Sequence, residues 1–429
     1  MKNESNWKSP MQYIMKNKLA FIHFLGLLWP ILMNGQLSTL SSSPYSLYGL
    51  GVYNYQTPGK ANALGYTGIA DNSFGSINKL NPASFAGIPL NTFTYDVGLR
   101  YEVQNLQQSY ESETKNSGNF SGISFAFPVT EKSGMGIILA PYTNVGYEIS
   151  GIQSNIEGTD EIFLTNVEGH GGLNDLNLNY GYAFSENLRV GLSSSFLFGK
   201  ITENEYNYFV NNTLYLREDN SYSGFRFGFG IQYDFLKNTS LGAVVNSPVN
   251  LKCVQEQEIF QYRGGITGTL LGTETIENSN DDFILPLEIG MGFKTELIKE
   301  LMISADYRHE FWDQTNQTDD IGDFIDRDFY GLGLEYLPEN RMKTKAMEYR
   351  LGLKYDSGNM NFNGENVSGY GLSTGVGIPL NLSLGSMINL SYTYGDRGTI
   401  SNGLVRENYH LLTLNLSLIG NWFTKRRFY

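Results

Sequence analysis

Gly371-Leu372-Ser373-Thr374-Gly375 has the spacing of a nucleophile elbow, in which a serine between glycines stands on a sharp strand-to-helix turn with its hydroxyl exposed for acyl transfer. A base would have to reach it, and His309 and His410 are the candidates. The acidic run Asp319-Asp320, Asp323, Asp326 and Asp328 offers oxygen ligands of the kind calcium takes. Cys253, the single cysteine, can neither close an internal disulfide nor build a zinc site by itself.

Each of these groups fails on the element that would have to carry it. Residues 376 to 394 continue in period-two alternation, so no helix follows Ser373. His309 lies between Arg308 and Glu310 in a strand, where adjacent side chains point to opposite faces, and it reads as a girdle or loop residue. The acidic spacing is not that of an EF-hand, and the run reads as a solvated outer loop. A barrel hydrolase would need Ser373 with a histidine, and no spacing favours it. Catalytic residues, metal and cofactor are therefore expected to be absent.

The elements themselves are the stronger signal. Phe225, Phe227, Phe229, Ile231, Tyr233 and Phe235 alternate with Arg226, Gly228, Gly230, Gln232 and Asp234. Tyr349, Leu351, Leu353 and Tyr355 alternate with Arg350, Gly352 and Lys354, and Tyr330, Leu332, Leu334 and Tyr336 with Gly331, Gly333 and Glu335. Such strands carry an apolar, aromatic-ended face opposite a charged and glycine-rich one, which suits lipid outside and a polar lumen inside. The pattern recurs about fourteen times, from starts near 91, 117, 134, 172, 188, 214, 239, 281, 300, 327, 346, 366, 384 and 407, within the range of single-chain membrane barrels. Short turns at 185–187, 237–238 and 298–300 alternate with longer polar stretches around 105–116, 150–171, 255–280 and 313–326, read as outer loops.

Bulk composition agrees. With 48 Gly, 29 Tyr and 26 Phe against 12 Pro and 17% charged residues, the chain departs from the soluble average. Its negative mean hydropathy does not argue against a membrane, because a barrel exposes only alternate residues to lipid. A formal charge of −13 excludes a nucleic-acid binder, which needs clustered cations.

Residues 1–36 read as a leader: Lys16 and Lys18 precede an apolar core from Leu19 to Met33 that is short for a span, with cleavage expected near Gly35 or Gln36. Residues 37–90 do not alternate, and their small residues and brief helical runs suit a hatch packed inside a lumen. Residues 91–429 form the barrel.

Gly65-Tyr66-Thr67-Gly68-Ile69-Ala70-Asp71, followed by Asn81-Pro82-Ala83, resembles the N-terminal hatch of the long-chain fatty acid transporter family (FadL/TodX type) of outer-membrane channels. Ser43-Pro44-Tyr45-Ser46-Leu47-Tyr48-Gly49, Glu407-Asn408-Tyr409 and Asn421-Trp422-Phe423-Thr424-Lys425-Arg426-Arg427 look like the Bacteroidota branch of such barrels. The resemblance implies an all-β, fourteen-stranded transmembrane antiparallel barrel in the outer membrane, with Gly65, Gly68, Asp71, Asn81, Pro82 and Ala83 in a hatch. It implies passive uptake of small hydrophobic, fatty-acid-like or aromatic compounds through an opening at a kinked third strand. Here that strand contains Pro141, with Gly146 close by, and proline cannot donate to a ladder. Outer-membrane lipid and a small hydrophobic ligand are the expected partners. Some relatives of this fold serve envelope complexes, so a non-conducting barrel with protein partners in secretion or assembly is the alternative.

Overall fold

The computed structural model describes residues 43–421, apart from 55–56, 74, 156–161, 211, 264–266, 278–281, 318–321, 340–345, 363 and 381–384. The leader, Asp319, Asp320 and the terminal run from Trp422 to Arg427 lie outside the described residues.

Fourteen antiparallel staves close into one barrel. They are β1 (Thr92–Gln108), β2 (Glu111–Thr130), β3 (Ser133–Pro141 continued by Thr143–Asn155), β4 (Ile162–Ala183), β5 (Leu188–Tyr208), β6 (Asn212–Leu236), β7 (Thr239–Asn246 continued by Val249–Arg263), β8 (Thr267–Glu277, Phe283–Leu285 and Glu288–Ile298), β9 (Leu301–Glu310), β10 (Arg327–Tyr336), β11 (Glu348–Asp356), β12 (Gly369–Pro379), β13 (Met387–Arg397) and β14 (Arg406–Asn421). Closure comes from β1 on β14, in a ladder running from Thr92 opposite Asn421 to Gln107 opposite Arg406. A closed barrel leaves no strand edge in the bilayer, where an unpaired amide would find no water.

Burial inverts the order of a soluble protein. Phe225 is 60% exposed while its neighbour Arg226 is 8% exposed, and the contrast repeats around the wall with Tyr349 and Leu351 outside and Arg350 inside. Asp96, Asp175, Gln232, Lys294, Asp306, Glu335 and Ser373 are all buried. Lipid outside and a filled polar lumen inside select that arrangement, so the chain is a transmembrane barrel. No helix among the described residues is long and apolar enough to cross a membrane.

Much of what reads as outer loop is strand. The stretch 105–116 and the described residues of 150–171 and 255–280 pair as antiparallel strands, as where Gln107 faces Ser112, Asn155 faces Ile162 and Tyr262 faces Gly268. Beyond the lipid an outward residue can be polar, so the apolar alternation fades while the ladder persists. β6, at 25 residues, therefore extends well past the roughly 9–11 that span a bilayer. With the short turns assigned to the periplasm, these hairpins rise on the outer side.

Candidate functional site

The N-terminal segment lies against inward-facing wall residues, and its own local chemistry explains its turns. Asn81 caps the 3-10 helix Pro82–Gly87, accepting the Ala83 amide at 2.9 Å, with proline at the first position where no N–H is needed. The same side chain donates to the Ile69 carbonyl at 2.8 Å and to Ile231 of β6 at 3.1 Å. Asn81 thus joins the cap, the segment and the wall. Pro82 and Ala83 lie on β5 where Gly191 stands, since a Cβ there would come within 2.2 Å of the Pro82 backbone.

Gly65 has φ +62 and no room for a side chain, with the Leu353 carbonyl 2.2 Å from where a Cβ would sit. Its amide donates to Ser373 Oγ at 3.2 Å. The serine of the elbow pattern therefore lies mid-strand in β12, facing the lumen, as a partner of the N-terminal segment. The Gly68 and Ile69 amides donate to one oxygen of Asp306 at 2.7 and 2.9 Å.

Asp71 is the centre of a buried charge cluster. It pairs with Lys294 at 2.6 Å and with Lys60 at 3.3 Å, while Lys60 also pairs with Glu335 at 2.6 Å. Glu335 meets Arg350 at 2.9 Å, and Arg350 also pairs with Glu348. Burial opposes a charge on Asp71, yet Lys294 and Lys60 outweigh it and hold the carboxyl well below the usual carboxylate range. Burial likewise opposes a charge on Lys60, and Asp71 and Glu335 raise its pKa in spite of it.

The six residues singled out in the hatch motif thus meet inward-facing residues of staves from β5, at Pro82 and Ala83, to β12, at Gly65. Lys60, Lys294, Asp306, Glu335 and Arg350 were not singled out. The available signal was a charge at inward parity in each stave, but finding its partner requires the closing register.

At Pro141 the wall divides. The lower half of β3 pairs with β2 only from Ser133 to Leu139, against Thr130 to Ile123. Above Pro141 the strand pairs with β4, and on its other edge, among the described residues, only with the two-residue strand Val52–Tyr53, opposite Asn144 and Thr143. The Pro141 carbonyl accepts from Asn54 Nδ2 at 3.2 Å, and the Gly146 amide donates to Ser46 Oγ at 2.9 Å. Both groups turn to the N-terminal segment where a neighbouring stave would otherwise supply partners.

Beside this breach lies an aromatic cluster. Tyr53 meets Tyr142 edge-on at 5.5 Å, Trp312 stacks on Phe324 at 5.1 Å, and Tyr48 contacts Phe362 at 4.4 Å. Tyr48, Tyr53, Trp312, Phe324 and Phe362, with Phe283 and Met360, line a cavity of about 70 Å³, bordered by Arg327, Asp356 and Arg397. A second cavity of about 170 Å³ is charged: it holds the Lys79–Asp175 pair at 2.9 Å, Arg226 with Glu288 at 3.5 Å, and Arg327 with Glu310 at 2.6 Å. The two cavities share Tyr53 and Arg327 in their walls.

Neither histidine approaches Ser373. His309 Nδ1 lies 2.9 Å from Asp328 on the outer side, and His410 Nδ1 lies 2.7 Å from the Tyr392 hydroxyl. Asp326 accepts from the Asp313 amide at 2.9 Å and, with Asp328, flanks His309, so these two carboxylates serve local pairing. Cys253 is buried in β7.

Residues 15–429 match the family model BamG. No curated protein matches the chain. Among solved structures, the Ralstonia pickettii toluene transporter TbuX aligns at 15% identity over 83% of this chain and 96% of its own, with a TM-score of 0.57. The Pseudomonas putida toluene transporter TodX aligns at 14% identity over 88% and 99%, also at 0.57. A Pseudomonas aeruginosa FadL homologue reaches 0.59 at 12% identity over 87% and 100%. At such identities the likeness is one of fold.

Proposed function

The chain belongs to the BamG family, and we propose that it is an outer-membrane channel admitting small hydrophobic compounds laterally through the wall at Pro141. The observation that carries this reading is the aromatic chamber walled in part by Val52 and Tyr53, the two-residue strand that pairs with β3 where the β2–β3 ladder is interrupted. An apolar, mostly preformed pocket with a few polar groups at its border is the usual form of a site for such ligands. The fold shared with TbuX and TodX, both toluene transporters, agrees with it. Residues 37–90 act as the hatch, shaped by Asn81 and Pro82, and direct cargo sideways because charged pairs fill the route beneath.

The aromatic cavity of about 70 Å³ is smaller than the roughly 150 Å³ apolar cavity that takes up benzene. Passage of an aromatic ring therefore requires the cluster or the Val52–Tyr53 strand to shift. Pro141→Val restores an amide at the kink and should slow uptake of toluene or a labelled fatty acid into proteoliposomes. Unchanged uptake, in a parent protein that does transport, sinks the lateral gate.

A second reading is favoured by the buried charge cluster, which fixes the N-terminal segment to β8, β10 and β11. On that reading the barrel is a non-conducting subunit of an envelope complex. Purification in mild detergent followed by mass spectrometry separates the two: retained lipophilic molecules without partners support the channel, and a stoichiometric protein partner without ligand supports the subunit.

A further inference from the structure

The seam between β2 and β3 is not closed by the wall's own strands. β2 pairs with β1 from Glu111 to Ala126, but with β3 only from Ile123 to Thr130. Above Pro141, β3 pairs with β4 from Val145 to Asn155, and its other edge meets the N-terminal segment at Thr143, Asn144 and Gly146. Among the described residues, neither the Glu111–Ser121 edge of β2 nor the Glu148–Asn155 edge of β3 has a strand partner. Exposure marks the same gap. Glu111, Ser112, Glu113 and Thr114 of β2 and Ser150, Gly151, Ile152 and Gln153 of β3 are exposed at successive positions, where a strand packed within the wall alternates.

The opening descends to the lipid. On β1 the outward residues Leu99, Tyr101 and Val103 give way to Asn105 and Gln107, and Val103 lies opposite Asn116 of β2. From Asn116 down to Phe120 the open edge of β2 therefore stands at lipid height, where an unpaired amide is costly. The Phe120 amide donates to Oδ1 of its own neighbour Asn119 at 2.8 Å. What fits such an edge is already visible lower in the seam, where Val52–Tyr53 adds antiparallel to β3. Strand addition draws affinity from the main chain and leaves selection to the side chains. Here they are acidic. Among the described residues of 99–122 and 143–171, Glu102, Glu111, Glu113, Glu148 and Glu168 stand against Arg100 and Lys115. Arg100 pairs with Glu102 at 3.6 Å and Lys115 with Glu113 at 3.4 Å, so Glu111 and the facing pair Glu148 and Glu168 are left without a described cation.

We propose that the seam is a docking site for an extended, basic segment of another protein, which adds as a strand to the Ser112–Phe120 edge of β2 with its cations toward Glu111, Glu148 and Glu168. The main chain of the guest supplies the carbonyls and amides that the edge lacks, and its lysines or arginines answer the unpaired carboxylates. An acidic strand meets like charge at the same place. The inference rests on the reading of the barrel as a subunit of an envelope complex and names the surface and the chemistry of the contact. A strand seated there stands in the lateral passage at Pro141, so docking and uptake exclude one another.

The test is hydrogen exchange read by mass spectrometry on the full barrel in mild detergent, titrated with three short synthetic peptides: alternating lysine and threonine, its glutamate counterpart, and the lysine peptide N-methylated throughout. The lysine peptide should slow exchange within Ser112–Phe120, the glutamate peptide should need about tenfold more to do so, and the N-methylated form should have no effect. Glu111→Gln with Glu148→Gln should weaken the lysine peptide about 3- to 10-fold, the scale of two exposed ion pairs. No protection by the lysine peptide, protection confined to other strands, or equal protection by either control overturns the proposal. So does full protection of Ser112–Phe120 in the peptide-free barrel: loss of it on dilution identifies a second copy as the occupant, and its persistence identifies a segment of this chain. Should the double variant fail to fold, the parent decides, because its affinity for the lysine peptide must fall as salt rises and a salt-independent affinity overturns the site. A co-purifying envelope protein without peptide binding keeps the subunit reading and removes this docking site, so the two fail separately.

Discussion

Lys60→Met tests whether the buried charge cluster fastens the N-terminal segment to the wall. The cluster sets three cations, Lys60, Lys294 and Arg350, against three carboxylates, Asp71, Glu335 and Glu348. Removing one cation leaves an uncompensated buried negative charge, which costs about 3–5 kcal/mol when a buried pair loses a partner. The lower end applies here, because Glu335 keeps Arg350 and Asp71 keeps Lys294. About 3 kcal/mol corresponds to a roughly hundredfold larger population of the detached segment. The assay is maleimide labelling of Thr67→Cys, a buried position on the segment, with Cys253→Ala removing the native thiol. Lys60→Met should accelerate labelling by about a hundredfold. Adding Glu335→Gln rebalances the charges at two against two and should return the rate to within about tenfold of the parent. An unchanged rate in the single variant, or a double variant as fast as the single, refutes the reasoning.

Two further outcomes follow from the wall. Phe229→Arg places a charge on the lipid face and should cost about 2–4 kcal/mol near the bilayer midplane, read as a lower folded yield in vesicles, and no loss would place that face elsewhere. Ser373→Ala removes the acceptor of the Gly65 amide, so Thr67→Cys should label a few-fold faster for a net bond of about 1 kcal/mol. Any ester hydrolysis that the parent supports should be unaffected by that change, and its loss would return Ser373 to the role of nucleophile.

The sequence by itself determined the staves. Lipid imposes a strict penalty on every outward residue, so Phe225 to Phe235 and Tyr349 to Tyr355 announce strand and face together, and starts read near 188, 239 and 327 coincide with the ladders. The turns at 185–187 and 237–238 are legible for the same reason. Above the bilayer that penalty vanishes, which is why 105–116, 150–171 and 255–280 read as loops although the backbones of their described residues stay paired. The hatch motif and Pro141 were visible as residues because proline, glycine and a capping asparagine act locally. What they touch was decided by tertiary structure. Lys60 meets Glu335 across 275 positions, and Gly65 meets Ser373 across 308. Such pairs depend on the closing register of the barrel and on the path of the segment through it. Inward residues carry no periodic signature of their partners, because the polar lumen accepts many side chains at each level and only the assembled wall chooses among them.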